Sequence, residues 1–269
     1  MARKNQCQQK SEHPTLPCND PNERLENRLD GMTKTDNTYR ISFLQYLLGC
    51  GMLVKKEWCT MPNNTLIFGD SYSTFEGYIP NGYASWYPQN EKCGRTDVAA
   101  VTQTWWYQVI QEAGLNLVLN NSWSGSPIGY TGYDNTDCSK SSSFIYRLNQ
   151  LIENGFFQKN RIDTVFVFGG TNDNWCNAPL GEPSGTDLYC VLPAIHHFFD
   201  LIRKTLPDAD IYCLINNHFK PEVTNALKEA SHRNNITAVT FRHIDTREGH
   251  PTVKGMQEIK EGVLAALAK

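Results

Sequence analysis

The chain has 269 residues, of which 40% are hydrophobic and 20% are charged, and its formal net charge at pH 7 is −3. This composition is typical of a globular protein that is long enough to bury a substantial core. It contains no lysine/arginine block that would favour nucleic-acid binding, and no apolar run of the ~18 residues needed to span a membrane.

Residues 1–60 differ from the rest of the chain and are predicted to be a poorly structured N-terminal extension of a domain at 61–269. Residues 1–40 are polar and show no sustained hydrophobic period. If translation begins at Met32, a charged segment and a short apolar stretch precede Leu47-Leu48-Gly49-Cys50, which resembles a bacterial lipoprotein cleavage site. That start would make the protein exported or lipid-anchored; otherwise we expect it in the cytoplasm.

The cysteines favour the cytoplasmic interpretation. There are nine, an odd number, and none forms a Cys-x-x-Cys pair, so a zinc site is not expected. Several lie in apolar segments, which is typical of buried free thiols in a reducing compartment.

From residue 61 onward, short apolar strands alternate with amphipathic stretches of helix length. Strands are predicted at 66–68, 115–119, 164–168, 211–215 and 237–241. Helices are predicted at 97–113, 141–154, 191–206, 221–234 and 252–268. This alternation predicts one three-layer α/β domain with a doubly wound, parallel, five-stranded sheet, and no second domain.

Four short polar strings lie just after strands or just before the last helix. They are Gly69-Asp70-Ser71-Tyr72, Asn121-Ser122-Trp123-Ser124-Gly125-Ser126, Gly169-Gly170-Thr171-Asn172-Asp173 and Gly249-His250-Pro251-Thr252. Because loops after parallel strands open at one edge of the sheet, the first three strings can converge there, and the fourth can reach the same edge.

Together the strings contain the groups that acyl transfer by serine requires. Ser71 is a candidate nucleophile, and His250 can take its proton. The Ser71 N–H, the Gly125 N–H and the side-chain amide of Asn172 can donate to the oxyanion of the tetrahedral intermediate.

The four strings resemble, in order, the four blocks of the SGNH (GDSL) hydrolase family of serine esterases and lipases. In this resemblance Ser71 corresponds to the nucleophile, Gly125 and Asn172 to oxyanion-hole residues, and His250 to the catalytic histidine. The resemblance extends from about Leu66 to the C-terminus. It implies a flavodoxin-like α/β/α fold and ester hydrolysis without a metal or organic cofactor.

The chain departs from the family pattern at the acid that orients the histidine. The family usually has an aspartate three residues before the histidine, where this chain has Arg247. Asp245 is the favoured substitute, and Glu248 is a second candidate. A third possibility is a Ser-His dyad in which a backbone carbonyl orients the ring.

Aromatic side chains crowd the predicted site, and the long loop at 75–98 is expected to cap its pocket. Tyr78, Trp86, Trp123 and Trp175 are candidate substrate-binding residues, because flat aromatic walls suit sugar rings and also acyl chains. The favoured substrate is a short acyl ester, such as an acetyl ester, on a carbohydrate or other small molecule.

Two other functions remain open. One is hydrolysis of a lipid ester or thioester. The other, motivated by Arg247, is a catalytically decayed module that only binds carbohydrate.

Overall fold

The structure, a computed structural model, describes residues 63–89 and 94–269. The interpretations of residues 1–60 and of a start at Met32 therefore lie outside the described residues. Within the described part, one parallel sheet has the order β2-β1-β3-β4-β5. Its strands are β1 (Asn64–Gly69), β2 (Asn116–Ser122), β3 (Thr164–Phe168), β4 (Asp210–Ile215) and β5 (Thr237–Thr240). The predicted parallel sheet of five strands is confirmed.

Helices connect the strands and cover the sheet. They are α1 (Trp105–Glu112), α2 (Phe144–Glu153), α3 (Phe156–Lys159), α4 (Thr171–Trp175), α5 (Val191–Thr205), α6 (Pro221–Arg233) and α7 (Val253–Leu267). Single 3₁₀ turns occur at Ser71–Ser73, Val101–Gln103 and Tyr133–Asn135. No helix among the described residues is both long enough and apolar enough to cross a membrane.

The core lies on both faces of the sheet, as expected for a parallel sheet covered by helices. Successive residues of β1 point to opposite faces: Leu66 and Phe68 pack in the cluster that includes α2, α5 and α6, whereas Ile67 packs in the cluster of α1 and α7. All three side chains are fully buried. Hydrophobic contacts on both faces therefore hold the strand that leads to Ser71.

The helix predicted at 97–113 begins later than expected. Thr104 precedes α1 and its Oγ1 accepts from the Tyr107 N–H at 3.4 Å, which makes it the N-cap. The Asp97 carboxylate instead accepts from the Val253 N–H at 2.9 Å, at the start of α7. The apolar spacing before Thr104 therefore does not indicate a helix.

Strand β2 is longer than the apolar pattern predicts. It continues through polar residues to Ser122, because Asn120–Ser122 pair with the end of β1, and the buried Asn120 side chain donates to the Ser73 carbonyl at 2.9 Å. The short helices α3 and α4 were also not predicted. Four cysteines fall in the described part of the chain, and all four are free: Cys138, Cys176, Cys190 and Cys213. The reducing compartment stays a prediction.

The register of the sheet places the ends of three strands side by side. Gly69 of β1 pairs with Ser122 of β2 on one side and with Phe168 of β3 on the other. The chain order reverses at β1, and in such sheets ligands bind at the carboxyl edge beside this reversal. The first three polar strings leave the sheet at that edge.

Candidate active site

Ser71 lies immediately beyond the end of β1, in the first 3₁₀ turn. Asp70 caps this turn, because its Oδ1 accepts from the Tyr72 N–H at 3.0 Å. A Cβ on Gly69 would lie 2.4 Å from the Ser122 Oγ, so only glycine allows β1 and β2 to approach this closely before the turn. The turn therefore presents Ser71 from a tightly packed strand end.

The Ser71 hydroxyl meets the His250 imidazole. The distance from Ser71 Oγ to His250 Nε2 is 3.0 Å, and His250 Nδ1 lies 2.9 Å from the backbone carbonyl of Glu248. Because a carbonyl can only accept, Nδ1 carries the proton and the lone pair of Nε2 faces the serine hydroxyl. This is the tautomer that a general base for Ser71 needs.

A tight hairpin creates the contact between His250 and the Glu248 carbonyl. Strands β6 (Thr246–Arg247) and β7 (His250–Pro251) pair antiparallel, with Arg247 opposite His250. The two turn residues both have positive φ, 50° at Glu248 and 73° at Gly249, as in a type I′ turn. Arg247, the residue three before His250, therefore lies opposite it on the other strand of the hairpin.

The structure does not bring Asp245 to the imidazole. Its carboxylate accepts from the Thr252 hydroxyl, and its backbone carbonyl accepts from the Thr252 N–H at 3.0 Å. Thr252 in turn caps α7. Asp245 therefore ties the hairpin to the last helix, and the group at Nδ1 is the backbone carbonyl, which was the third possibility in the sequence.

Aromatic side chains fix the position of His250. The Trp86 ring stacks on the imidazole, with 3.5 Å between the ring centroids and 8° between their planes. Tyr72 donates to the Gly249 carbonyl at 2.9 Å, and Tyr87 donates to the Pro251 carbonyl at 2.8 Å. The residues on both sides of His250 are therefore anchored by tyrosine hydroxyls.

The environment of His250 keeps the ring neutral. Burial lowers its pKa from 6.5 to about 4, against the opposing effect of the hydrogen bond that the ring donates to the Glu248 carbonyl. The nearby cation Arg95 adds to the decrease; its guanidinium carbon lies 4.7 Å from the centre of the Trp86 ring. The imidazole is consequently available as a base in mildly acid solution.

Asn172 and Gly125 belong to two loops that are joined to each other. Asn172 Nδ2 donates to the Ser126 carbonyl at 2.8 Å, which leaves its second hydrogen for another acceptor. Gly125 precedes Ser126 and has a φ of 81°. The Asp173 carboxylate accepts from the N–H groups of Ile128 and Gly129 at 2.8–3.1 Å, which holds the same loop.

A cavity of about 550 Å³ opens above the serine. It is lined by Ser71, Tyr72, Tyr133, Thr171, Asn172, Trp175, Asn216, His218, Thr246, Glu248, Gly249 and His250. The structure thus brings Ser71, Asn172 and His250 to one cavity. Gly125 is not among the lining residues, but it directly precedes Ser126, whose carbonyl accepts from Asn172.

The candidate substrate-binding aromatics occupy different environments. Trp175 is 55% exposed and lines the cavity. Trp86 stacks on His250, Trp123 packs on Tyr83 with 4.2 Å between centroids and 31° between ring planes, and Tyr78 packs toward Trp106 at 6.1 Å. In the loop at 75–98, Trp86 contacts His250 and Tyr87 donates to the next residue, Pro251. None of the described residues of this loop lines the cavity, so the expected cap is not observed there.

Sequence reasoning missed several lining residues. His218 and Asn216 follow β4, and their place at the carboxyl edge was the available signal. Tyr133, which is 45% exposed, comes from the loop after Gly125; it is one of the aromatic residues near the polar strings, but it was not among the four substrate-binding candidates. In the part of the chain that the structure describes, no group of three or more His, Cys, Asp or Glu side chains could hold a metal ion.

Comparison with known proteins shows the family to which the chain belongs. The model of the family described as GDSL-like Lipase/Acylhydrolase matches residues 63–267. Two solved structures assigned as GDSL-like lipases share 37% sequence identity with the chain. The Bacteroides ovatus protein has a TM-score of 0.70 over 77% of this chain and 98% of its own; the Bacteroides uniformis protein has 0.69 over 77% and 96%.

A more distant neighbour shares the fold alone. It is a family two carbohydrate esterase from Clostridium thermocellum in complex with cellohexaose, with 16% identity and a TM-score of 0.55 over 76% of this chain and 63% of its own. A search of the curated proteins finds no match.

The buried carboxyl of Asp70 leads to a prediction about stability. Burial raises its pKa from 3.8 to about 6, against the hydrogen bond from Tyr72. An aspartate with a raised pKa in the folded state loses stability as pH rises between about 4 and about 6. Asp70→Asn keeps an acceptor for Tyr72 but cannot ionise. We expect it to raise the free energy of unfolding by about 1–3 kcal/mol at pH 7.5, and by much less at pH 4.

Urea denaturation at both pH values tests this expectation. Asp173→Asn is the matched control: the pKa of Asp173 is also raised by burial, but both of its oxygens accept backbone N–H groups. In Asp173→Asn, the side-chain NH₂ would replace an oxygen that accepts a backbone N–H, so two donors would face each other. This variant should therefore lose stability at pH 7.5. An Asp70→Asn variant that is less stable than wild type at pH 7.5 would contradict the assignment.

Proposed function

The chain belongs to the GDSL-like lipase/acylhydrolase family and is therefore an ester-hydrolysing enzyme, and from this premise we propose that it removes a short acyl group from a carbohydrate through an acyl-enzyme on Ser71. The observation that carries the proposal is the 3.0 Å contact between Ser71 Oγ and His250 Nε2 at the cavity.

The first half-reaction uses the two residues in contact. Ser71 Oγ attacks the ester carbonyl carbon while its proton passes to His250 Nε2. The carbonyl oxygen becomes an oxyanion, which the Ser71 N–H, the Gly125 N–H and the free hydrogen of Asn172 Nδ2 stabilise. When the intermediate collapses, the bond to the leaving alcohol breaks and His250 returns the proton to that alcohol.

The second half-reaction repeats the sequence with water. His250 takes a proton from water, the resulting hydroxide adds to the acyl carbon, and the proton returns to Ser71 as the carboxylic acid leaves. The Glu248 carbonyl accepts a hydrogen bond from Nδ1–H throughout, so only Nε2 exchanges protons with the reactants. The stacked face of Trp86 stabilises the imidazolium when it forms.

The lining of the cavity supports a carbohydrate ester. Trp175 and Tyr133 are exposed aromatic rings on which the C–H face of a sugar can stack. Thr171, Asn216 and His218 add polar groups that can bond to sugar hydroxyls. A long acyl chain would need a continuous apolar channel, and the mixture of polar groups favours a short acyl group instead.

The function is tested with p-nitrophenyl acetate, p-nitrophenyl palmitate, an acetylated xylo-oligosaccharide and a fluorophosphonate label. We expect turnover of the acetyl esters, little turnover of the palmitate, and labelling that Ser71→Ala abolishes. Ser73→Ala, which changes a buried serine in the same turn, is the matched control and should keep the label. Preference for the palmitate would support a lipid ester as the substrate. If the wild-type protein neither turns over any of these esters nor takes up the label, the proposal is refuted.

The lowered pKa of His250 predicts an unusual pH profile. Because kcat/KM reports the ionisation of the free enzyme, it should stay nearly constant from about pH 8 to about 5 and fall by half only near pH 4. An unperturbed histidine would give half-maximal activity near about pH 6.5. Enzyme held at each pH and assayed again at pH 7 separates reversible titration from unfolding. A midpoint near 6.5 would contradict the prediction.

The carbonyl contact predicts that neither nearby acid is essential. Asp245→Asn and Glu248→Gln both retain the Glu248 carbonyl, so each should keep kcat within about threefold of wild type. Replacing a true triad acid can cost ~10⁴ in kcat. Thermal unfolding is measured in parallel, because Asp245 also holds the start of α7 through Thr252. A loss of that size in a folded Asp245→Asn variant would restore Asp245 as the catalytic acid.

A further inference from the structure

Arg147, on α2, is a buried cation that does not line the cavity. Its side chain is 1% exposed, and burial lowers its pKa to about 10, which leaves it charged at neutral pH. Among the described residues no carboxylate forms a direct ion pair with it, although the charge of Asp70 favours the charged form of the guanidinium. A buried charge that lacks a direct ion pair is costly, so the hydrogen bonds of Arg147 must offset its burial.

The guanidinium joins the ends of two strands. Its Nη2 donates to the Gly69 carbonyl of β1 at 3.3 Å. Its Nη1 donates to the Asn121 carbonyl of β2 and, at 2.9 Å, to the Asn121 side-chain oxygen. Gly69 is two residues before Ser71, so Arg147 fixes the strand that carries the nucleophile against the strand that leads to Gly125.

The same guanidinium reaches the loop after β2. Nη2 donates to the Ser126 hydroxyl at 3.1 Å, directly after Gly125. The carbonyl of Ser126 accepts from Asn172 Nδ2 at 2.8 Å. Ser126 is therefore held on one side by Arg147 and on the other by Asn172, so two of the three proposed oxyanion donors, the Gly125 N–H and the Asn172 amide, depend on its position.

Only an arginine can make this set of contacts. Its planar fork of N–H groups addresses several acceptors in fixed directions, whereas a lysine ammonium is a single point charge on a flexible stem. The ring of Phe144 lies 4.6 Å from the guanidinium carbon, and Nε donates to the Ser142 carbonyl at 2.8 Å, so the fork is itself held in one orientation.

We propose that Arg147 is a positioning residue of the oxyanion hole, which sets the Gly125 N–H and the Asn172 amide against the acyl carbon at Ser71. This inference rests on the proposed function. Displacing such donors weakens binding of the transition state more than binding of the substrate, so the effect falls on kcat rather than KM.

The test compares Arg147→Lys and Ser126→Ala with wild type on p-nitrophenyl acetate. We expect kcat to fall by about 10- to 100-fold in both variants while KM changes by less than about threefold. Phenylboronic acid, whose tetrahedral adduct with Ser71 places an oxygen in the hole, should bind more weakly by a similar factor. Ser126→Ala removes a single hydroxyl, so it keeps the test decisive if Arg147→Lys does not fold.

Arg203→Lys is the matched control. Like Arg147, Arg203 donates to several backbone carbonyls, which are those of Leu206, Pro207, Ala209, Asn234 and Asn235. These carbonyls precede β4 and β5, at the edge of the sheet opposite the cavity. The control should lose thermal stability but keep wild-type kcat and boronate affinity.

The outcomes separate this proposal from the function on which it rests. If wild type turns over the ester and both Arg147→Lys and Ser126→Ala keep its kcat and its boronate affinity, the role of Arg147 is refuted while the esterase stands. A rise in KM at unchanged kcat would also refute it. If wild type itself neither turns over the ester nor binds phenylboronic acid, both proposals fail together.

Discussion

The register of β1 between its two neighbours is the constraint on which the site depends. Gly69 is level with Ser122 and Phe168, and the polar strings leave the sheet from these three positions. Ser71 lies two residues beyond Gly69, and Asn172 lies four residues beyond Phe168. So few residues could not compensate for a shift in the pairing of the strands. A slip of one residue in either pairing would turn every side chain of a strand to the opposite face. The apolar residues on both faces of β1 therefore also hold the chemistry in place.

The histidine illustrates how backbone and packing can replace a side chain. A carboxylate at Nδ1 would both orient the ring and stabilise its positive charge. The Glu248 carbonyl orients it equally well but is neutral, and burial favours the uncharged ring, so His250 is a weak base that stays unprotonated in acid. The flat contact with Trp86 restricts the ring and offers its π face to the imidazolium. The backbone carbonyl thus supplies the orientation of the ring, and burial lowers its basicity.

Much of this architecture could be predicted, because alternating apolar strands and amphipathic helices leave few possible folds. The convergence of Ser71 with His250 followed from their places relative to those elements. The partner of Nδ1 could not be predicted, since it depends on a positive φ at Glu248, a conformation that non-glycine residues seldom adopt. The start of α1 was missed because capping by Thr104 prevails over apolar spacing. Trp86 was assigned to substrate because its neighbour, the imidazole, comes from the far end of the chain.

The hairpin turn before His250 has a consequence for how such a site is inherited. A carbonyl oxygen is present whatever side chain the residue carries, so no substitution at 248 removes it outright. What selection must preserve is a backbone shape, and the burden falls on Gly249, whose φ of 73° few other residues tolerate.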